Sequence, residues 1–312
     1  MHVSVSERTA SHAPEPLGRR AHLQVWLQGL AWAQVLLAGA TAVGTWMIQA
    51  LARLPARPEP IVEVGLVFFS IYALDRTLAE PDTDSLNHPE RERFVRRHAR
   101  KLLGLAVAAY AVALGLAARE GWGQVGVLLL PLAAVLLYSF PFVPRPLGRW
   151  LGFRRLKDIL VIKNVVVAAT FATTLTLAPV PPRGAVEVHT LVAFWLFVFV
   201  RFFINSIVFD VRDEHGDRLK GIRTLPVVMG AHRTLRLLHG LNLALGGFTL
   251  VAPVLGWAPP AFAALAVGTP FAMGYLRRMA GPGSLHFLCD VVADGELYVA
   301  GLALLVVRCV LA

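Results

Sequence analysis

Apolar residues fall in long blocks separated by short charged linkers along this chain. Blocks of this length read as helices crossing a bilayer, because ~20 residues span a ~30 Å hydrocarbon core. About nine can be drawn, over 23–50, 61–78, 102–118, 125–140, 159–178, 188–209, 235–255, 261–275 and 297–311. The fourth and eighth are short for the task, and Pro131 and Pro270 are expected to kink their helices. The fold class predicted is an all-α integral membrane protein.

The linkers alternate in charge. The second carries Arg91, Arg93, Arg96, Arg97, Arg100 and Lys101, and the fourth Arg145, Arg149, Arg154, Arg155 and Lys157. The sixth holds Arg212, Arg218, Lys220, Arg223 and Arg233, and the eighth Arg277 and Arg278. The odd linkers hold few basic residues or none. Basic residues are retained on the cytoplasmic side, so the N-terminus and every even linker are expected there, in the cytoplasmic membrane. Residues 1–21 contain Pro14 and Pro16 and no apolar leader segment. They are expected to form a disordered cytoplasmic tail, leaving 22–312 as one membrane domain.

Composition agrees. The 312 residues are 56% hydrophobic and 16% charged, against ~25% charged in ordinary soluble domains. The net charge of +10 lies almost wholly in the linkers, which points to topology and an anionic ligand and not to nucleic acid. Cys289 and Cys309 have no metal-ligand spacing.

The chemistry concentrates where the sixth block ends. Asp210, Asp213 and Asp217 follow within two helical turns, and a continued helix puts them on nearly one face. Clustered carboxylates need neutralising, and Mg²⁺, which takes oxygen ligands and bridges to phosphates, fits a water-facing helix end. The interleaved Arg212, Arg218, Lys220 and Arg223 suit the remaining phosphate charge. Lys157 and Lys163 bracket a helix start, and Lys163 stands inside an apolar block, facing either a polar cavity or the interface. After the second block come Tyr72, Asp75, Arg76, Glu80, Asp82 and Asp84. Pro81 should end that helix near Ala79 and put Asp82 on a loop. Asn164 and Asn205 suit hydrogen bonds between helices, whereas Asp294 and Glu296 suit a helix cap. Arg201 lies off the aspartate face. P-loop, Rossmann, GxSxG and HExxH signatures are absent.

The segment DVRDEHGDRLKGIRTLPVVMG at 210–230, RLKDILVIKN at 155–164, the polar linker after the second block and the nine-block pattern together resemble the UbiA superfamily of intramembrane prenyltransferases, of 4-hydroxybenzoate polyprenyltransferase type. The resemblance runs from residue 23 onward. It implies helices around a central cavity, with two aspartate motifs holding Mg²⁺ against the diphosphate of a polyprenyl donor. Asp210, Asp213 and Asp217 then correspond to the second motif, and Lys157 and Lys163 to diphosphate-binding residues. Arg76, Arg212, Lys220 and Arg223 are expected as further diphosphate contacts. The first motif departs from the family pattern. Asp75 takes its central position, but Ile71 stands four before and Ala79 four after, and Asp82 is displaced toward the loop. Tyr72–Arg76 matches a Y-x-x-D-R form. The metal set implied is Asp75, Asp82, Asp210, Asp213 and Asp217. The expected reaction is prenyl transfer to an aromatic or other lipophilic acceptor, with membrane lipid around it.

Two other classes stay open on the residues alone: a non-catalytic prenyl-lipid-binding protein and a membrane carrier. Charges gathered at one face, without matching half-sequences, speak against the carrier.

Overall fold

A computed structural model describes residues 19–78, 88–139, 159–181, 186–281 and 285–311. Lys157, Asp82 and most of the tail at 1–21 lie outside the described residues, so the site begins from the elements around them. The described chain is helical: α1 Arg19–Trp32, α2 Val35–Leu51, α3 Pro58–Leu78, α4 Pro89–Glu120, α5 Trp122–Ser139, α6 Ile162–Leu177, α7 Val188–Leu219, α8 Leu225–Met229, α9 Ala231–Val254, α10 Gly268–Met279 and α11 Glu296–Leu311. A 3₁₀ helix, Pro260–Val267, precedes α10, and a π-helical turn, Leu288–Ala293, precedes α11.

Helix α7 explains where the chemistry sits. Its 32 residues make a rod of about 48 Å at 1.5 Å per residue, well beyond a ~30 Å hydrocarbon core. The apolar run ends at Phe209 and the helix continues, so Asp210, Asp213 and Asp217 project on one face past the apolar part, as the spacing predicts. Helix α4 is built the opposite way round. It opens with Pro89 and two glutamates in its first turn, which suit a helix start, and becomes apolar only from Leu102. His88, just before α4, contacts Asp213 near the end of α7. The two polar extensions therefore meet at the same end of the bundle, with α4 and α7 antiparallel.

Among the described residues, α4, α7 and α9 are each long and apolar enough to cross a membrane, and α5 and α6 are shorter apolar helices. The expected first span, 23–50, is broken. Helices α1 and α2 meet at 73°, and Gln34 between them takes a left-handed conformation, φ 65°. Neither Gly nor Pro marks the break. The expected span 261–275 is a 3₁₀ helix running into α10. Pro270 falls in the first turn of α10, where no backbone hydrogen bond is lost. Helix α5 continues through Pro131.

The core is aromatic. Phe171 of α6 lies between Phe68 of α3 and Phe202 of α7, with ring centroids 4.1 and 3.8 Å apart and near-parallel planes. Stacking of this kind adds to the burial of three large apolar side chains.

A second core feature is ionic. Arg201 of α7, 3% exposed, pairs with Glu296 of α11 at 2.7 Å and donates to Asn242 of α9 at 2.6 Å. Tyr275 of α10 donates to Glu296 at 3.2 Å. Gly268 makes room for this pair, because a Cβ there would stand 2.9 Å from the Arg201 guanidinium. Glu296, expected as a cap residue, is thus the partner of a buried arginine, and Asp294 accepts from Asn205 at 3.2 Å.

Candidate active site

Helix α6 enters with Lys163 and Asn164 in its first turn, beside the point where α7 turns polar. Lys163 Nζ lies 2.6 Å from Asp210 Oδ1, and Asn164 Nδ2 donates to Asp210 Oδ2 at 2.9 Å and to Ser206 Oγ at 2.8 Å. Both oxygens of Asp210 are thus held from α6. This resolves the alternative left open for Lys163: its ammonium lines the cavity. Asn164 joins α6 to α7, as expected, whereas Asn205 ties α7 to Asp294 in the turn before α11.

Asp213 is held from the other side. Arg212 donates to both of its oxygens, through Nε at 2.9 Å and Nη2 at 3.0 Å. The remaining arm of Arg212, Nη1, donates to Asp290 of the π-helical turn at 2.6 Å. Its guanidinium also lies 4.6 Å from the Phe209 ring centroid, over the ring face. Trp32, the last residue of α1, donates its indole N–H to Asp290 Oδ2 at 3.3 Å.

His88 Nε2 lies 2.8 Å from Asp213 Oδ1, and its Nδ1 lies 2.9 Å from Nδ1 of His286. Burial, with Arg212 and Arg91 nearby, pushes the His88 imidazole down to about 4, although Asp213 pulls the other way. The ring is therefore neutral at pH 7. An ionised carboxylate only accepts, so His88 carries its proton on Nε2 toward Asp213 and accepts from His286 at Nδ1. His286 is lowered too, first by its own burial.

Trp32, Lys163, Asp210, Arg212, Asp213 and Asp290 rim a cavity of about 210 Å³. Asp210, Asp213, Lys163, Arg212, Arg76 and Asp290 form its charged part, while Leu37, Val167, Phe171 and Phe202 form its apolar floor. A second cavity of about 130 Å³ lies between α3, α5 and α6, and Asp75 lines that one, with Lys163 common to both. Asp217 accepts from Thr224 at 3.3 Å and does not line either cavity. Lys220 and Arg223 follow the end of α7, outside both linings. Sequence reasoning missed Asp290, His88, His286 and Trp32. For Asp290 and His286 a signal existed, since a His and an Asp four residues apart interrupt an otherwise apolar stretch.

The donor set suits Mg²⁺. It consists of hard carboxylate oxygens on one helix face, with Asp75 across the shared wall. Among the described residues no three acidic, His or Cys side chains converge on one point. That matches an ion held by one or two carboxylates, whose other ligands are water and substrate phosphate oxygens.

The model of the UbiA prenyltransferase family matches residues 61–283. A digeranylgeranylglyceryl phosphate synthase from Natronomonas pharaonis is 28% identical over 162 residues, 51% of this chain and 52% of that protein. The chain thus spans about half the length of the curated relative it matches. A solved UbiA homologue from Archaeoglobus fulgidus, bound to DMAPP and Mg²⁺, superposes with a TM-score of 0.53 at 18% identity, covering 92% of this chain and 99% of that one. The same homologue bound to GPP and Mg²⁺ gives 0.55 at 13% identity, covering 89% and 99%. A digeranylgeranylglyceryl phosphate synthase structure gives 0.54 at 13% identity, covering 91% and 98%. These likenesses establish the fold, and the family match extends over well more than half of the sequence. The chain belongs to the UbiA prenyltransferase family.

Proposed function

We propose that this protein transfers a prenyl group from a polyprenyl diphosphate to a lipophilic acceptor within the membrane, in a Mg²⁺-dependent reaction. One observation carries the reading: carboxylates and cations crowd one end of a cavity whose other end is aromatic and aliphatic. An amphipathic substrate with a diphosphate head and a hydrocarbon tail has that profile.

Asp210 and Asp213 are the carboxylates at the head end and would hold the metal, one or two to an ion; by the family resemblance alone Asp217, Asp75 and Asp82 would belong to the same metal set. When bound, Mg²⁺ supplies positive charge against the diphosphate. Lys163 and Arg76 face the same space and stabilise the negative charge that grows on the departing diphosphate. By the family resemblance alone, Lys157, Lys220 and Arg223 would add further contacts to the diphosphate. Arg212 and His88 hold Asp213 in one orientation. The C–O bond of the donor breaks with its electron pair leaving on the diphosphate. The acceptor's nucleophilic carbon or oxygen bonds to the allylic carbon and gives up a proton. Leu37, Val167, Phe171 and Phe202 keep water from the cationic carbon.

The topology that goes with this reading is about nine spans in residues 22–312, with a cytoplasmic N-terminal tail and the charged end of the bundle facing the cytoplasm. The relative named for digeranylgeranylglyceryl phosphate synthesis makes a hydroxyl-bearing glycerol lipid the first acceptor to try.

The test is pyrophosphate release by the protein in lipid, with geranylgeranyl diphosphate, with and without Mg²⁺, against a panel of acceptors. Mg²⁺-dependent release requiring one acceptor is the expected result. Donor binding without release across the whole panel would favour a non-catalytic lipid-binding role.

A further inference from the structure

Among the described residues, four carboxylates line the charged cavity: Asp210, Asp213, Asp290 and Asp294. Three of them have a cation at hydrogen-bond distance. Lys163 holds Asp210, and Arg212 holds both Asp213 and Asp290. Asp294, in the turn before α11, differs. Its partner among the described residues is an amide, Nδ2 of Asn205, which donates to Oδ1 at 3.2 Å and leaves Oδ2 for another group. A carboxylate neutralised by a cation is a poor base, whereas one packed against an amide stays basic. Burial pushes the Asp294 carboxyl up to about 7, with Asp290 adding to the rise and Asn205, Arg76 of α3 and Arg212 of α7 opposing it. Tyr298 of α11 faces it as well. Arg201 and Glu296 stand beyond it and pair with each other.

Position along α7 decides what Asp294 can reach. At 1.5 Å per residue, Asn205 lies about 7.5 Å along the helix from Asp210, and Phe202 of the apolar floor about 4.5 Å further on. Asp294 docks on Asn205, so it stands between the carboxylates of the head end and the hydrocarbon floor. A donor with its diphosphate at Asp210 and Asp213 and its tail on Phe202 has its reacting carbon at that level.

We propose that Asp294 is the catalytic base, which takes the proton that the acceptor gives up as it is prenylated. The proposal rests on the transferase reading for the reaction itself. With a hydroxyl acceptor, an oxygen lone pair forms the new bond to the allylic carbon. The donor's C–O pair leaves on the diphosphate, and the O–H proton passes to Oδ2 of Asp294. Asn205 keeps the carboxylate turned by holding Oδ1. The proton passes to water when the products leave, and the carboxylate is restored.

The experiment compares wild type, Asp294→Asn and Asp294→Glu in lipid nanodiscs with Mg²⁺, over a range of pH around neutrality. It reads kcat by pyrophosphate release with an acceptor that wild type uses, and Kd for a non-hydrolysable geranylgeranyl thiolodiphosphate. Asparagine keeps an oxygen for Asn205 and loses the basic one. Its kcat should fall by about 100- to 10,000-fold, the scale of general base catalysis, with donor Kd unchanged. Wild-type kcat should fall on the acid side of about 7 as Asp294 protonates, and the residual rate of Asp294→Asn should lose that limb. Asp294→Glu should regain part of the rate with the limb displaced, which a merely structural role would not produce. It also keeps the comparison decisive if the asparagine variant fails to fold, because an undisplaced limb assigns the titration to another group and overturns the proposal. Wild-type turnover in Asp294→Asn would hand the proton to the departing diphosphate and overturn it too. So would a loss of donor affinity as large as the loss of rate, which would make Asp294 a binding group. Wild type that releases no pyrophosphate with any acceptor overturns the transferase reading, and this proposal with it.

Discussion

Arg212 donates through Nη1 to Asp290 at 2.6 Å, across 78 positions of sequence, while its other two donors grip Asp213. One guanidinium therefore fixes a candidate metal ligand to the turn before α11. Breaking a buried pair of this kind costs about 3–5 kcal/mol. Asp290→Ala should lower the melting temperature and also reduce turnover, because Asp213 loses its anchored clamp. Thermal unfolding in detergent together with steady-state kinetics would check this. A variant with both quantities intact would refute the role of the pair.

Asp213→Ala removes the carboxylate and keeps the rest of the helix. Turnover should fall by at least about 100-fold, the scale seen when one transition-state electrostatic contact is lost. The protein should remain folded. Residual activity near wild type would remove Asp213 from the site.

Chelation should separate chemistry from folding. No described group of three metal-ligating side chains ties the fold together. EDTA should therefore abolish turnover and leave helical content and unfolding temperature unchanged, with activity restored by Mg²⁺ added in excess. Unfolding on chelation would mean that the ion is structural.

Acid should destabilise the protein through His88. Its ring has an ordinary value of 6.5 and is held at about 4 in the fold by burial. Between these values the unfolded chain binds a proton that the folded chain does not. Stability therefore rises with pH across that window and falls as pH drops from 6.5 toward 4, by up to about 1.4 kcal/mol per unit. Unfolding temperatures over that range, for wild type and for His88→Gln, would show a shallower slope in the variant. Equal slopes would assign the acid sensitivity elsewhere.

Glu296→Gln tests the second buried network. It leaves Arg201 without its carboxylate partner and should cost about 3–5 kcal/mol. Donor affinity should be unaffected, since Glu296 does not line the charged cavity. A selective loss of donor binding at unchanged stability would contradict the separation of the two networks.

Much of this site could be read from sequence because helical periodicity is local. Asp210, Asp213 and Asp217 share a face by spacing alone, and a lysine in an apolar block, Lys163, has few places to go but a polar cavity. Three things were hidden. Asp290 reaches Arg212, His88 reaches Asp213 and His286 reaches His88, each from a segment distant in sequence, and nothing in local spacing encodes such meetings. The break at Gln34 falls at a point in the apolar run where neither Gly nor Pro stands, so tertiary packing overrides the local preference. The role of Glu296 also depended on knowing that α11 packs beside Arg201, a contact between residues 95 apart. The reading of Glu296 as a cap was reasonable locally and wrong globally.

The Arg201–Glu296 pair also constrains how the protein is made. Arg201 lies within the apolar length of α7, and an arginine at mid-membrane costs about 2.5–3.5 kcal/mol on insertion scales. During synthesis it enters the bilayer well before its carboxylate partner exists, because Glu296 opens α11, 95 positions later in the chain. Until the ribosome has delivered α11, the nascent bundle carries an unmatched charge in lipid. Helix α11 thus supplies the missing charge, and a chain truncated before Glu296 should be less stable in the bilayer than the intact chain, although it retains Asp210, Asp213 and Asp217.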